Sequence, residues 1–198
     1  KSVEEVGIGF MFAQTFNKSM KNVGQARKEM GTRTIFNILG PVSNPSNATA
    51  AVIGVFSPTL TEPLAHSMKA MGVKRGMIVC GCDGMDEITL TGTTHISEIK
   101  DDNVTSYDIN PADYGLKITD AEQLKGGNGE ENAETTKAIL AGKETGAKRD
   151  IVLLNAGAAI YCAGIADTLA EGIEKAKESI DSGKALEVLN KLVEFTNR

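Results

Sequence analysis

Residues 50–56 read AAVIGVF and residues 76–81 read GMIVCG, and both are short apolar runs bounded by glycine or proline. Runs of this length and composition are typical of buried β-strands. The segment between them predicts a helix, because four apolar side chains recur along it at helical spacing: Leu60, Leu64, Met68 and Met71. A strand, a crossover helix and a second strand in one sheet form a βαβ unit, so the two strands are predicted to be parallel.

The pattern of apolar residues changes after residue 81. Residues 95–99 and 104–109 flank the polar segment 100–103, and together they predict an antiparallel hairpin. Acidic residues in a first turn predict a helix over residues 130–140, the uncharged run 151–166 predicts a buried helix, and apolar stripes predict helices over residues 169–180 and 186–193. The sequence therefore predicts an α/β fold with a mixed, largely parallel sheet flanked by helices. Because no repeat and no linker-like stretch occurs, residues 1–198 are predicted to form a single domain.

Composition and charge argue against several classes of protein. The chain carries 21 Lys and Arg against 26 Asp and Glu, a net charge of −5, without any block of five or more basic residues. A protein that binds duplexes needs such a basic surface, so nucleic acid is not expected as a partner. The apolar run 151–166 is shorter than the roughly 20 residues that span a membrane. The first residues lack the pattern of a signal peptide, so the protein is expected in the cytoplasm.

The thiol and imidazole inventory is small, with three cysteines and two histidines. Cys80 and Cys82 form a CxC pair without a second Cys or His pair at the spacing of a zinc site. We interpret these cysteines and Cys162 as reduced structural thiols. His66 and His95 also lack a partner at metal-ligand spacing and are interpreted as structural. No Ser-His-Asp or Cys-His constellation is indicated, so no catalytic residue is assigned.

An acidic segment follows the predicted strand 76–81. It contains Asp83, Asp86 and Glu87 beside Gly84, and the carboxyl ends of strands are where open α/β sheets bind ligands. Three carboxylates so close together repel one another unless a cation or water separates them. Mg²⁺ takes one or two protein carboxylates and shares its remaining positions with water and substrate phosphates. The segment therefore indicates either a magnesium site or a solvated acidic turn, which loops commonly contain.

Arg27 interrupts an apolar stripe. A helix is predicted over residues 18–30, and Arg27 lies on the same face as Met20, Val23 and Met30. A partly buried guanidinium needs a carboxylate or phosphate partner, and its fork matches a carboxylate with two parallel hydrogen bonds. Arg27 is thus a candidate for binding an anionic ligand. An internal ion pair or a side chain that reaches the surface would explain the pattern equally well.

Several motifs in register along about the whole chain resemble the anthranilate phosphoribosyltransferases. They are Gly9-Phe-Met-Phe-Ala13, Met20-Lys-Asn-Val23, Arg27-Lys-Glu-Met-Gly31, Arg33-Thr-Ile-Phe-Asn-Ile-Leu-Gly-Pro41, Asn44-Pro45, Gly84-Met-Asp-Glu87, Asn110-Pro-Ala-Asp-Tyr-Gly115 and Glu131-Asn-Ala133. The resemblance implies a fold of the nucleoside phosphorylase and phosphoribosyltransferase type. It also implies transfer of a phosphoribosyl group from phosphoribosyl pyrophosphate (PRPP) to anthranilate, an early step of tryptophan biosynthesis.

The resemblance also implies site residues. Asp86 and Glu87 match the pair that binds Mg²⁺ at the pyrophosphate of PRPP, and Arg27 matches an arginine that contacts anthranilate. Metal neutralisation and positioning can carry most of the catalysis when pyrophosphate leaves an anomeric carbon. The aromatic amine is already a neutral nucleophile at pH 7, so a strong general base is not expected.

The family's helical amino-terminal domain, with a glycine-rich PRPP-binding loop and the dimer contacts, has no counterpart in these residues. We therefore expect a carboxyl-terminal fragment of a homodimeric parent. The fragment alone is expected to be inactive and to expose an apolar patch around residues 6–20. Asn17 stands where the family usually has His, which leaves a contact to anthranilate open, and Gly157 stands where Ala is common.

Two other functions are compatible with the same architecture. A pyrimidine nucleoside phosphorylase would be expected to lack the stretch 33–41 and the Asp86–Glu87 pair. A non-catalytic homologue that binds nucleic acid would be expected to be basic and to have lost the acidic pair. The net charge of −5 and the presence of both carboxylates favour the transferase.

Overall fold

The structure, a computed structural model, describes residues 1–12, 29, 31 and 46–198. The chain divides into two compact units, residues 1–46 with 187–198 and residues 47–186. Each unit is described by itself, and the single domain over 1–198 stays a prediction. In the first unit a short helix, α1 (Ser2–Val6), is followed by exposed apolar side chains that include the stacked rings of Phe10 and Phe12.

The described part of the second unit contains four strands in the order β1-β2-β3-β4. Their bounds are β1 (Ala50–Gly54), β2 (Arg75–Gly81), β3 (Thr94–Lys100) and β4 (Asn103–Ile109). β1 and β2 are parallel, whereas β3 is antiparallel to both β2 and β4, so the sheet is mixed as predicted. The βαβ unit and the hairpin are confirmed.

The sheet is not largely parallel in the described residues, because one of its three pairings is parallel and two are antiparallel. The reason is the connection after β2, which returns through a loop without a crossover helix. Asp101 and Asp102 then make the two-residue turn of the hairpin with φ of 49° and 60°. Short polar side chains tolerate this left-handed backbone, which suits the tight turn between β3 and β4.

Helices cover both faces of the sheet. α2 (Thr61–Ala70) packs on β2, β3 and β4, and a helix that we call α4 (Ala147–Cys162) packs on β1 and β2. The described residues of the second unit also form α3 (Gly129–Leu140) and α5 (Leu169–Asp181), and most of a further helix, α6 (Lys184–Thr196), belongs to the first unit. The helix predicted over 151–166 thus begins four residues earlier and ends sooner, because Gly164 takes a left-handed conformation with φ of 75°. None of the described helices is both long and apolar enough to cross a membrane.

The largest described core lies between the sheet and the helices α4 and α5. Val79 and Ile96 from the sheet pack with Leu154 of α4 and Ile173 of α5, and all four side chains are buried. The Ile88 side chain, fully buried with 0% exposure, belongs to the same cluster. The residue after the predicted acidic pair is therefore anchored in the core.

α4 and α5 meet at two glycines. A Cβ on Gly172 of α5 would overlap the carbonyl oxygen of Gly157 in α4, and a Cβ on Gly157 would lie 2.7 Å from the backbone nitrogen of Ile173. Backbone atoms cannot move aside as a flexible side chain can. Gly157, which departs from the alanine common in the resembling family, therefore lies where the backbones of these two helices are in contact.

The substitution Gly172→Ala is expected to lower the free energy of unfolding by about 1 to 3 kcal/mol, because the added methyl overpacks the contact between α4 and α5. Urea unfolding measures this change. Gly129→Ala is the matched control, since a Cβ at this helical position meets nothing within 4 Å. Equal stability of the two variants would contradict the expectation.

Candidate functional site

The acidic segment 82–87 lies at the carboxyl end of β2, as predicted. Backbone hydrogen bonds shape it into a compact turn, in which Gly81 N–H donates to the Met85 carbonyl at 2.9 Å and Gly84 N–H donates to the Gly81 carbonyl at 2.9 Å. Cys82 N–H donates to the carbonyl of Thr93 at 2.9 Å, which ties the turn to the start of β3. Main-chain hydrogen bonds therefore fix residues 81–85, which lead into the Asp86–Glu87 pair.

Asp83 organises this turn. Its carboxylate accepts hydrogen bonds from Met85 N–H at 3.0 Å and from the hydroxyls of Thr89 and Thr91, each at 2.8 Å. Desolvation works to raise the pKa of Asp83, but these hydrogen bonds outweigh it and the pKa is lowered. Asp83 therefore stabilises the loop. Although Asp83, Asp86 and Glu87 are close in sequence, they do not form one cluster that could hold a metal.

Asp86 and Glu87 line a cleft of about 420 Å³ between the sheet and α4. Val52 and Val79 line it from the sheet, and Ile151, Val152 and Asn155 line it from α4. Neither carboxylate pairs with a Lys, Arg or His of the described residues, and the lining contains no basic side chain. Desolvation and the negative charge of Asp86 raise the pKa of the Glu87 carboxyl.

Gly54, the last residue of β1, lies directly beneath this pair. A Cβ at Gly54 would overlap the carbonyl oxygen of Asp86, so the backbone of Asp86 rests on a strand that has no side chain at this point. The absent side chain lets β1 and the acidic segment approach closely. The sequence signal was the glycine inside an otherwise apolar run, which often marks a close backbone approach.

Asn155 of α4 hydrogen-bonds the backbone of Ile88, the residue that follows Glu87. Its Oδ1 accepts a hydrogen bond from Ile88 N–H at 2.9 Å, and its Nδ2 donates to the Ile88 carbonyl at 2.9 Å and to the Ile151 carbonyl at 3.0 Å. Sequence reasoning missed this contact. The available signal was a single amide inside the uncharged run 151–166, where a polar side chain needs a partner.

The carboxylate pair fits a magnesium ion. Two acceptor-only side chains that lack a basic partner within the described residues, at the rim of an open cleft, match the one or two carboxylates that Mg²⁺ takes. Within the described ranges, no group of three or more His, Cys, Asp or Glu side chains is placed to hold a metal. Arg27, the predicted anthranilate contact, and Asn17 lie outside the described residues.

The cysteines and histidines do not line the cleft of Asp86 and Glu87. Cys80 and Cys162 are buried, and desolvation raises the pKa of Cys80 and raises that of Cys162 to about 12, which suits inert structural thiols. Cys82 is exposed. His66 Nε2 lies 3.8 Å from Glu62 Oε1, and His95 Nδ1 lies 2.6 Å from Asp108 Oδ1. Their interpretation as structural residues stays a prediction.

Residues 1–186 match the family model described as the a/b domain of the glycosyl transferase family. The anthranilate phosphoribosyltransferase of Acetivibrio thermocellus is 51% identical over 195 residues, which cover 98% of this chain and 56% of that protein. The chain thus spans little more than half the length of the curated relatives it matches.

Solved structures give the same result. The crystal structure of anthranilate phosphoribosyltransferase from Thermus thermophilus superimposes with a TM-score of 0.93 at 41% identity, covering 100% of this chain and 58% of that chain. The enzyme from Saccharomyces cerevisiae in complex with PRPP and Mg superimposes with a TM-score of 0.81 at 29% identity, covering 88% of this chain and 50% of that chain. The predicted α/β fold and the resemblance are confirmed.

The role of Asp83 predicts a pH-dependent loss of stability in Asp83→Asn. Asn has one acceptor oxygen where Asp has two, so it cannot accept from Met85 N–H and from the two threonine hydroxyls together, and the free energy of unfolding is expected to fall by about 1 to 2 kcal/mol at pH 7. Because the folded pKa is lowered, the stability that Asp83 contributes is complete above the ordinary Asp pKa of about 3.9 and disappears as pH falls through the folded value.

Urea unfolding of the wild type and Asp83→Asn between pH 7 and pH 3 checks this expectation. The difference between them should be constant near neutrality and shrink below about pH 4. Asp101→Asn, in the exposed hairpin turn where Asn tolerates positive φ, is the matched control and should change little. A difference that is absent at pH 7, or equally large at pH 3, would contradict the role of Asp83.

Proposed function

Because the chain belongs to the glycosyl transferase family, matching its a/b domain over residues 1–186, we propose that it transfers the phosphoribosyl group of PRPP to anthranilate. The products are N-(5-phosphoribosyl)anthranilate and pyrophosphate. The observation that carries the proposal is the Asp86–Glu87 pair, which lines a cleft at the carboxyl end of β2 and pairs with no basic side chain among the described residues.

The comparisons support this choice of reaction. The bacterial relative at 51% identity is an anthranilate phosphoribosyltransferase, and the yeast enzyme with the same fold is known in complex with PRPP and Mg. We propose that the reaction belongs to tryptophan biosynthesis in the cytoplasm and that the whole protein acts as a homodimer. The inactivity of these 198 residues by themselves stays a prediction.

The reaction breaks the bond between the anomeric carbon of PRPP and a pyrophosphate oxygen and forms a bond from that carbon to the anthranilate nitrogen. Pyrophosphate leaves with the electron pair, and the nitrogen releases one proton. Asp86 and Glu87 would hold a Mg²⁺ here, which would supply positive charge against the negative charge on the leaving pyrophosphate. The nucleophile is already neutral, so no general base is assigned to this chain.

Asp86 and Glu87 would hold the metal, since their oxygens are the ligands that Mg²⁺ prefers. The raised pKa of Glu87 reflects its desolvation and its crowding with Asp86, and a cation between the two carboxylates would relieve that repulsion. The apolar wall of Val52, Val79 and Ile151 lowers the exposure of this charge to water. Electrostatic interactions strengthen where water is displaced, which favours binding of a metal-bound pyrophosphate at this rim.

We also propose that Arg27 contacts anthranilate. Its guanidinium matches the planar carboxylate of that substrate, which two parallel hydrogen bonds can hold. This role rests on the resemblance and on the place of Arg27 in an apolar stripe. It is assigned to binding and orientation, because a guanidinium does not transfer protons at neutral pH.

The alternatives receive less support. A nucleoside phosphorylase would have no evident use for the Asp86–Glu87 pair, and the relatives compared above are anthranilate phosphoribosyltransferases. A homologue that binds nucleic acid would need a basic surface, which is at odds with a net charge of −5. The intact acidic pair therefore favours the transferase.

The double variant Asp86→Asn/Glu87→Gln is expected to lose the Mg²⁺-dependent binding of PRPP by tenfold or more, because both metal-ligand charges are removed. Calorimetric titration of PRPP with and without Mg²⁺ measures this loss. Asp101→Asn/Glu122→Gln is the matched control, which removes two exposed carboxylates outside the cleft and changes the net charge by the same two units as the test variant. Unchanged binding by the Asp86 and Glu87 variant would contradict the proposed function.

A further inference from the structure

The side chain of Asn155 contacts the backbone of Ile88 as a neighbouring β-strand would. It accepts from the N–H and donates to the carbonyl of the same residue, both at 2.9 Å, although the two residues are 67 positions apart. The third hydrogen bond, from Nδ2 to the Ile151 carbonyl at 3.0 Å, holds the amide against its own helix. The orientation of the Asn155 side chain is thereby fixed at both ends.

This contact lies immediately beside the carboxylate pair. Ile88 follows Glu87 in the chain and its side chain is fully buried in the core, so residue 88 is restrained through both backbone and side chain. On the other side, the Asp86 carbonyl rests on Gly54. Asp86 and Glu87 therefore lie between two fixed backbone positions, one set by β1 and one set by α4.

We propose that Asn155 is a positioning residue for the Asp86–Glu87 pair. By hydrogen-bonding Ile88 it sets the position and orientation of the backbone that carries Asp86 and Glu87, which both line the cleft. Asn155 lines that same cleft, so the hold is applied beside the site itself. The inference rests on the proposed function, since it assigns a role toward the cation that the pair would bind. Partners that orient metal ligands in this way are commonly worth about 10-fold to 100-fold in affinity.

A purely structural role for Asn155 predicts something different. Loss of its hydrogen bonds would then lower the stability of the fold, and the affinity for a cation would depend only on the charge of the cleft. The substitution Asn155→Asp separates these cases, because it preserves shape and the acceptor for Ile88 N–H. It replaces the donor by an oxygen that faces the carbonyls of Ile88 and Ile151, which breaks the hold, and it adds a negative charge to the cleft.

Val152→Asp is the matched control. Val152 lines the same cleft from the same helix, is 36% exposed and contributes no hydrogen bond to Ile88. Charge alone would make both variants bind a divalent cation more tightly. Positioning predicts opposite outcomes, with binding weakened about tenfold or more in Asn155→Asp and unchanged or tightened in Val152→Asp.

The experiment uses Mn²⁺ as the probe, with the electron paramagnetic resonance signal of the free ion reporting the dissociation constant. Asn155→Ala is the second variant, which removes the hold without adding charge and should also bind Mn²⁺ more weakly. Thermal unfolding confirms that each variant is folded. Asn155→Asp binding that equals or exceeds that of the wild type would overturn the inference.

Hydrogen exchange of the Ile88 amide separates this inference from the proposed function. Its N–H should be protected in the wild type and exchange about tenfold faster or more in Asn155→Ala, whether or not a cation is present. An unchanged exchange rate of the Ile88 amide in Asn155→Ala would contradict the claim that Asn155 restrains this backbone. Failure of the wild type to bind Mn²⁺, combined with faster exchange in the variant, would refute the metal role of the pair and retain the contact between Asn155 and Ile88.

Discussion

The amide of Asn155 hydrogen-bonds both the N–H and the carbonyl of Ile88, the residue that follows the carboxylate pair, and we propose that the placement of the pair depends on this restraint. Asp86 rests on Gly54 at the end of β1, while Ile88 is tied to α4 and buried in the core. A two-residue acidic segment between such fixed positions cannot spread its carboxylates apart by moving its backbone. The crowding that contributes to the raised pKa of Glu87 is therefore built into the fold, together with the desolvation of that side chain.

The carboxylates of the loop that contains the pair have two different roles. Asp83 accepts three hydrogen bonds and shapes the turn, whereas Asp86 and Glu87 remain directed to the cleft without a basic partner among the described residues. A pair of this kind is suited to binding a cation rather than to stabilising the fold. The scaffold supplies stability elsewhere, in the core beneath the sheet and in the close contact of α4 with α5.

Much of this arrangement could be predicted from the sequence. The apolar runs predicted the parallel pair β1 and β2, the polar turn at 100–103 predicted the hairpin, and the strand end predicted where the acidic segment lies. The contact of Asn155 with Ile88 could not be predicted, because local patterns carry no information about residues 67 positions apart. The separate role of Asp83 depends on hydroxyls of Thr89 and Thr91 that become its neighbours only when the loop closes.

The most direct test is a crystal structure of this chain grown with Mn²⁺ and PRPP, with an anomalous difference map recorded at the manganese absorption edge. We expect a peak at the Asp86 and Glu87 carboxylates, at about 2.0 to 2.3 Å from an oxygen of at least one of them and in contact with the pyrophosphate. The metal role of Asp86 and Glu87 would be contradicted by bound PRPP without a manganese peak at this pair, or by a manganese peak only elsewhere on the protein.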